Sequence, residues 1–184
     1  NELEFYIKEL PSYFHYKEIG DLTENFYDLG FEEYSEELAE KYLLSHGAKQ
    51  YGDYYCLGSL RITDVLTIIF KNHIKHPVRL DDEGLKYIAD LAEKYLCYKL
   101  DADSRQIEAR VRDIENIILV NRLTFQWFDE KSIDSSIIDE IDNFLEQRFE
   151  VMQVVNAAEI FEVFKDSVIA FGIENKIHLY SVIK

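Results

Sequence analysis

The chain has few of the residues that staple a fold, bind metals or cradle phosphate. Among 184 residues there are two cysteines, two prolines, seven glycines, five histidines and one tryptophan. Cys56 and Cys97 are far apart and form no CxxC pair, so the spacing gives no zinc or redox site; two buried, reduced thiols are expected. The glycines supply no phosphate-cradling loop and no GxSxG elbow, and the histidines supply no HExxH. No cofactor, no metal and no enzymatic activity are therefore expected. Long apolar runs are missing as well. Nothing approaches the roughly 18 residues of a bilayer-spanning helix, and the acidic opening NELEFYIKEL lacks the pattern of a signal peptide. The expected location is cytoplasmic, with no membrane partner. Basic residues are also scarce, 20 Lys and Arg against 36 Asp and Glu, for a formal charge of −16. That balance argues against a general nucleic-acid binder, because affinity for phosphate comes mainly from clustered cations.

What is present is apolar and aromatic. Hydrophobic residues make up 47% of the chain, with 13 Tyr and 12 Phe, enough to bury real cores and to exclude disorder. The charge is uneven. Residues 1–60 carry 13 acids and 4 bases, residues 61–128 carry 11 of each, and residues 129–184 carry 12 and 5, so only the middle third is neutral.

The order of local signals repeats. A short helix over 5–10 ends at Pro11, and Asp21 opens LTENFYDL, which stops at Gly30. Ser35 is the expected cap of EELAEKYLLSH, with Leu38, Tyr42 and Leu43 inward, and the helix ends at Gly47. AKQY and YYCL then flank a Gly52-Asp53 turn, a strong hairpin signal. In the next stretch Thr63 is the expected cap of DVLTIIFKNHIK, whose Val65, Ile68, Ile69 and Phe70 form an apolar face closed by Pro77. Asp81 or Asp82 opens EGLKYIADLAEKYLCY, and Asp103 with Gln106 forms a capping box on SRQIEARVRDIEN. IILV and LTFQWF complete that stretch as a hairpin turning at Asn121-Arg122. Beyond it Asp134 opens IIDEIDNFLEQRF, Asn156 with Glu159 caps a helix that stops at Gly172, and Asn175 opens KIHLYSVIK. The pattern predicts three units, residues 1–59, 60–129 and 130–184, the last without its hairpin, which by the spacing of the first two would fall near residue 190. A fragment of a longer protein is the expectation.

At SRQIEARVRDIENIILVNRLTFQWF the chain resembles the winged helix-turn-helix superfamily, best over 61–128, less closely over 12–59 and in part over 132–184. The fold class implied is mainly α with short β-hairpins, a tandem array of winged-helix-like units. In that superfamily the second helix commonly enters the DNA major groove while the hairpin, or wing, touches the backbone or minor groove, although many members only dock proteins. The resemblance thus implies DNA binding or transcription regulation.

On a helical wheel Ile107, Val111 and Ile114 form a buried stripe, which leaves Arg105, Ala109 and Arg112 opposite, flanked by Ser104 and Glu108. Arginine can pair bidentately with guanine, a small residue allows close approach, and a serine at a helix start reaches phosphate. Arg110, and Asn121 with Arg122 at the wing tip, would meet phosphates instead. The competing reading is that these arginines pair with Glu108, Asp113 and Glu115 on a solvated helix. The matching helix of the first unit offers Glu36, Glu37, Glu40 and Lys41, an acidic face that phosphate repels, and the third offers only Lys176, His178 and Lys184. Double-stranded DNA at 104–122 and protein partners at the acidic first and third units are the expected partners. A protein-docking scaffold is the alternative, and an acidic mimic of DNA a further one. His73-x-x-His76 near Asp81 and Asp82 has metal-like spacing without a firm third ligand. His15, His46 and His178 stand beside aromatics, as packing residues do.

Overall fold

The computed structural model describes residues 11–18, 36–129, 133–152 and 154–183, with Glu36 by its backbone alone. The helices expected over 5–10 and 21–29, and the Ser35 cap, lie outside these residues. The described residues are mainly helical, with two small antiparallel sheets of three strands each. None of their helices is long and apolar enough to cross a membrane. Contacts divide the chain into two compact units, one of residues 1–65 and 88–101, the other of residues 66–87 and 102–184. Each is described in turn.

In the first unit β1 (Tyr13–His15) leads into a 3-10 turn (Tyr16–Glu18), and α1 (Glu36–Ser45) precedes β2 (Ala48–Tyr51) and β3 (Tyr54–Leu57). The sheet order is β1-β3-β2, with Phe14 opposite Tyr55 and Tyr51 opposite Tyr54. The expected hairpin is therefore present, widened by a third strand too short to show a period. Gly52 takes the positive φ of 58° that the tight turn needs, and a Cβ there would lie 1.9 Å from the Tyr95 carbonyl oxygen, so no larger residue fits. Helix α1 sits one residue off the expected phase. Ala39 and Leu43, four apart, are fully buried, while Leu38 is 45% exposed. Thr63 is not a cap. Helix α2 (Ile62–Ile68) starts before it, and Asp64 instead accepts the Arg61 backbone N–H at 3.0 Å and grips its guanidinium at 3.0 and 2.9 Å. Cys56 is buried as expected, and burial pushes its thiol pKa up. Cys97 is exposed, because the chain leaves α3 (Asp82–Leu96) there at φ 48°.

The second unit begins with the buried end of α2, which widens into a π-helical turn (Ile69–His73), and Ile68, Ile69 and Phe70 are all buried. Short β4 (Val78–Arg79) follows, then the start of α3, α4 (Ser104–Arg112), β5 (Ile117–Asn121) and β6 (Thr124–Trp127). Strand order is β4-β6-β5, the arrangement of the first sheet again. The Asp103–Gln106 capping box forms as the spacing dictates, at 2.9 Å from the Gln106 N–H and 3.3 Å in return. The turn lies one residue later than expected. Asn121 pairs with Thr124, and Leu123 takes the positive φ of 54°. Asn121 serves the turn through its side chain, whose Oδ1 accepts the Arg122 N–H at 2.8 Å.

Three further helices, α5 (Ser135–Val151), α6 (Ala157–Ile169) and α7 (Lys176–Val182), complete this unit. Asp134, Asn156 and Asn175 cap them, and the Asp134 carboxyl is held low by the Ser136 N–H. The expected second half of the Asn156 box is absent, because Glu159 turns to Arg148 at 2.6 Å. Ile118, Val120 and Phe128 pack in one apolar cluster with Ile141, Ile160, Phe161, Val168, Ile173 and Leu179. The other face of the hairpin carries buried Phe125, beneath the Arg112 guanidinium of α4. Burial on both faces is the reason IILV is an unbroken apolar run and not an alternation. Helix α7 also lies along β5. Val120, skipped in the strand register, gives its carbonyl to Asn175 Nδ2 at 3.0 Å, and Leu119 gives its own to Ser181 Oγ at 3.0 Å.

Candidate nucleic-acid interface

Helix α4 presents its charged side chains because Ile107 and Val111 hold the opposite side in the core. Ser104, Arg105 and Ala109 are exposed. Arg105 has no hydrogen bond or ion pair among the described residues. Arg112 is differently placed. Its Nε and Nη2 donate to Glu108 Oε1 at 3.1 and 2.8 Å, and its guanidinium stacks 5.4 Å from the Phe125 ring centre. A side chain tied down twice is not free to read a base edge. Arg110 reaches Asp113 at 3.6 Å in an exposed pair of little strength. At the hairpin tip Arg122 is exposed and its guanidinium has no partner among the described residues, whereas Asn121 is committed to the turn. Ser104, Arg105, Ala109 and Arg122 are thus open to a partner, and Glu108, Arg110, Arg112 and Asn121 are engaged internally.

The other two helices expected to match α4 are not basic surfaces. On α1, Lys41 donates to Glu37 at 2.7 Å, which lowers the Glu37 pKa and raises that of Lys41. Glu40 accepts a hydrogen bond from the Tyr55 hydroxyl, and burial together with that carboxylate pushes the phenol up to about 12. On α7, Lys176 is exposed but His178 is buried edge-on to Phe128 at 5.7 Å. Burial lowers its pKa, against the opposing pull of Glu174. His46 stacks on Tyr42 at 4.0 Å, and His15 packs between Tyr16 and Tyr54.

His73 and His76 line a hollow of about 650 Å³ with Lys75, Arg79, Asp81 and Glu83. No three His, Cys, Asp or Glu side chains among the described residues are placed to hold a metal.

Lys71, Lys75 and Arg79 of the same unit lie outside α4 and do not show on a wheel of that helix. Lys71 is exposed at the π-helical turn, its Nζ 5.9 Å from the Trp127 ring centre. Lys75 is exposed ahead of β4, and Arg79 lies on β4 opposite Thr124. The signal that finds them is the local absence of acid, since residues 66–80 contain no Asp or Glu. Searches against family models, curated proteins and solved structures returned no match to the chain.

Proposed function

We propose that the chain carries tandem winged-helix-like units and that the second contacts double-stranded DNA, as part of a regulatory protein. The element order helix, strand, helix, helix, strand, strand over residues 62–127 supports the module, as does the recurrence of its strand order in the first sheet. The observation that carries the DNA reading is the pair of exposed arginines whose guanidinium groups have no partner among the described residues, Arg105 at the start of α4 and Arg122 at the hairpin tip. A helix start and a wing tip are the two places where such a module meets a duplex. Arg112, fixed by Glu108 and Phe125, positions α4 on the hairpin in this reading.

The test is a titration of a mixed-sequence duplex at low salt, comparing the wild type with Arg105→Ala plus Arg122→Ala. We expect binding at micromolar protein that the double change weakens at least about tenfold, with a salt slope shallower by about 1 from the loss of Arg122 at the phosphates. Failure of the wild type to bind, or binding that the double change leaves intact, would remove the reading. The competing function is a protein-docking scaffold. The observations in its favour are exposed apolar side chains beyond the hairpin, such as Phe149, Val154 and Val163, and the exposed Glu37 on α1.

A further inference from the structure

Residues 66–80, LTIIFKNHIKHPVRL, contain Lys71, Lys75 and Arg79 and no acid, in a chain that carries 36 Asp and Glu. Another acid-free stretch of the same unit is 116–128, which contains Arg122. The fold lays the two side by side. Val78 and Arg79 pair with Phe125 and Thr124, and the Leu80 N–H donates to the Leu123 carbonyl at 2.8 Å. Both faces of the hairpin are packed, and α7 bonds the carbonyls of β5. Lys71 of the π-helical turn, Arg79 on the β4 edge and Arg122 at the hairpin tip are exposed.

We infer that this strip, Lys71, Lys75 and Arg79 with Arg122 at its end, holds the phosphate backbone of duplex DNA. The inference rests on the DNA reading proposed above and adds Lys71, Lys75 and Arg79 to it: Arg105 faces the groove, and the strip, with Arg122 at its end, anchors the backbone. Four cations drawn from two acid-free stretches of sequence, with Asp81 and Glu83 beside Arg79, supply the attraction that a chain of charge −16 elsewhere opposes. The Arg79–Asp81 pair spans 3.4 Å with both side chains at least half exposed, so a phosphate can displace the carboxylate. An acidic polypeptide is the weaker match, because capture by strand addition needs a longer edge than the two residues of β4. Lys71 beside Trp127, the single tryptophan, also puts a fluorophore at the site.

The experiment titrates a mixed-sequence duplex into the full chain at two or more salt concentrations, following anisotropy of the DNA and emission of Trp127. Wild type is compared with Lys71→Gln/Lys75→Gln/Arg79→Gln, whose fold is checked by circular dichroism, and with Arg105→Ala. The triple change is expected to weaken binding tenfold or more on every sequence and to flatten the log–log salt slope by about 3. Arg105→Ala should leave that slope nearly unchanged apart from its own charge. In the wild type, duplex should alter Trp127 emission in a salt-sensitive way. A triple variant that binds with wild-type affinity and slope overturns the strip while the DNA reading stands. A wild type that binds no duplex overturns both, and polyglutamate that displaces duplex at equal charge concentration overturns the assignment to phosphate.

Discussion

The two three-stranded sheets share one strand order and differ in what covers them. At matched places in their registers stand Lys49 opposite Cys56 and Ile118 opposite Gln126. Lys49 is exposed and its ammonium reaches Ser59 at 3.1 Å, whereas Ile118 is buried under α5 to α7. The same architecture thus gives a hairpin with a solvated strand in one unit and a hairpin closed on both faces in the other. Topology sets the strand order, and side-chain polarity sets how many faces are covered. In the second unit the hairpin tip and the β4 edge expose the cations Arg122 and Arg79.

Truncation at the matched positions gives the largest test of this contrast. Ile118→Ala should cost about 3 kcal/mol by urea denaturation, as a buried aliphatic does, and Lys49→Ala should stay within about 0.5 kcal/mol. Similar costs at the two sites would break the comparison. The polar seam of the closed hairpin comes next. Asn175 caps α7 through the Ile177 and His178 N–H groups, at 2.9 and 3.1 Å, and also donates to Val120. Asn175→Ala is expected to cost about 2 kcal/mol and to speed amide exchange at Val120 and Asn121. Unchanged exchange there would show that α7 does not hold the strand.

The smallest effect is one of pH. Because burial lowers the His178 pKa in the folded chain, the unfolded chain takes up the proton first. Stability contributed by the neutral ring is therefore present above the ordinary histidine value of about 6.5 and declines as pH falls below it. Between pH 7.5 and 5.5 the urea midpoint of the wild type should fall further than that of His178→Leu. Parallel profiles would exclude a buried, neutral imidazole.

Much of this order is legible in the sequence where the determinants are local. Asp103 and Gln106 cap a helix through atoms three residues apart, and Gly52-Asp53 turns a hairpin by the backbone freedom of one glycine. What depends on distant packing is not. The two residues of β4 carry no periodicity and become a strand only against β6. The Asn121-Arg122 turn is displaced by one because the Asn121 amide serves the turn from outside it, and Leu123 accepts the strained φ. The phase of α1 follows from Ala39, which a count of large apolar residues passes over in favour of Leu38. In IILV the absence of alternation does carry the message that both faces are covered, but a template with one free face hides it. At the candidate interface the exposure of Arg105 is readable from the wheel. The capture of Arg112 is only half readable, since Glu108 stands four residues away in sequence but Phe125 comes from another element.

The close approach of Gly52 to the Tyr95 carbonyl separates the two hairpin turns in one more respect. A residue inserted beside Gly52 has to displace helix backbone, whereas one inserted beside exposed Arg122 enters solvent. The first loop is locked in length and the second is free to lengthen or to carry a graft. A label carried on the side chain of residue 122 therefore enters solvent and leaves the backbone bonds of the turn in place.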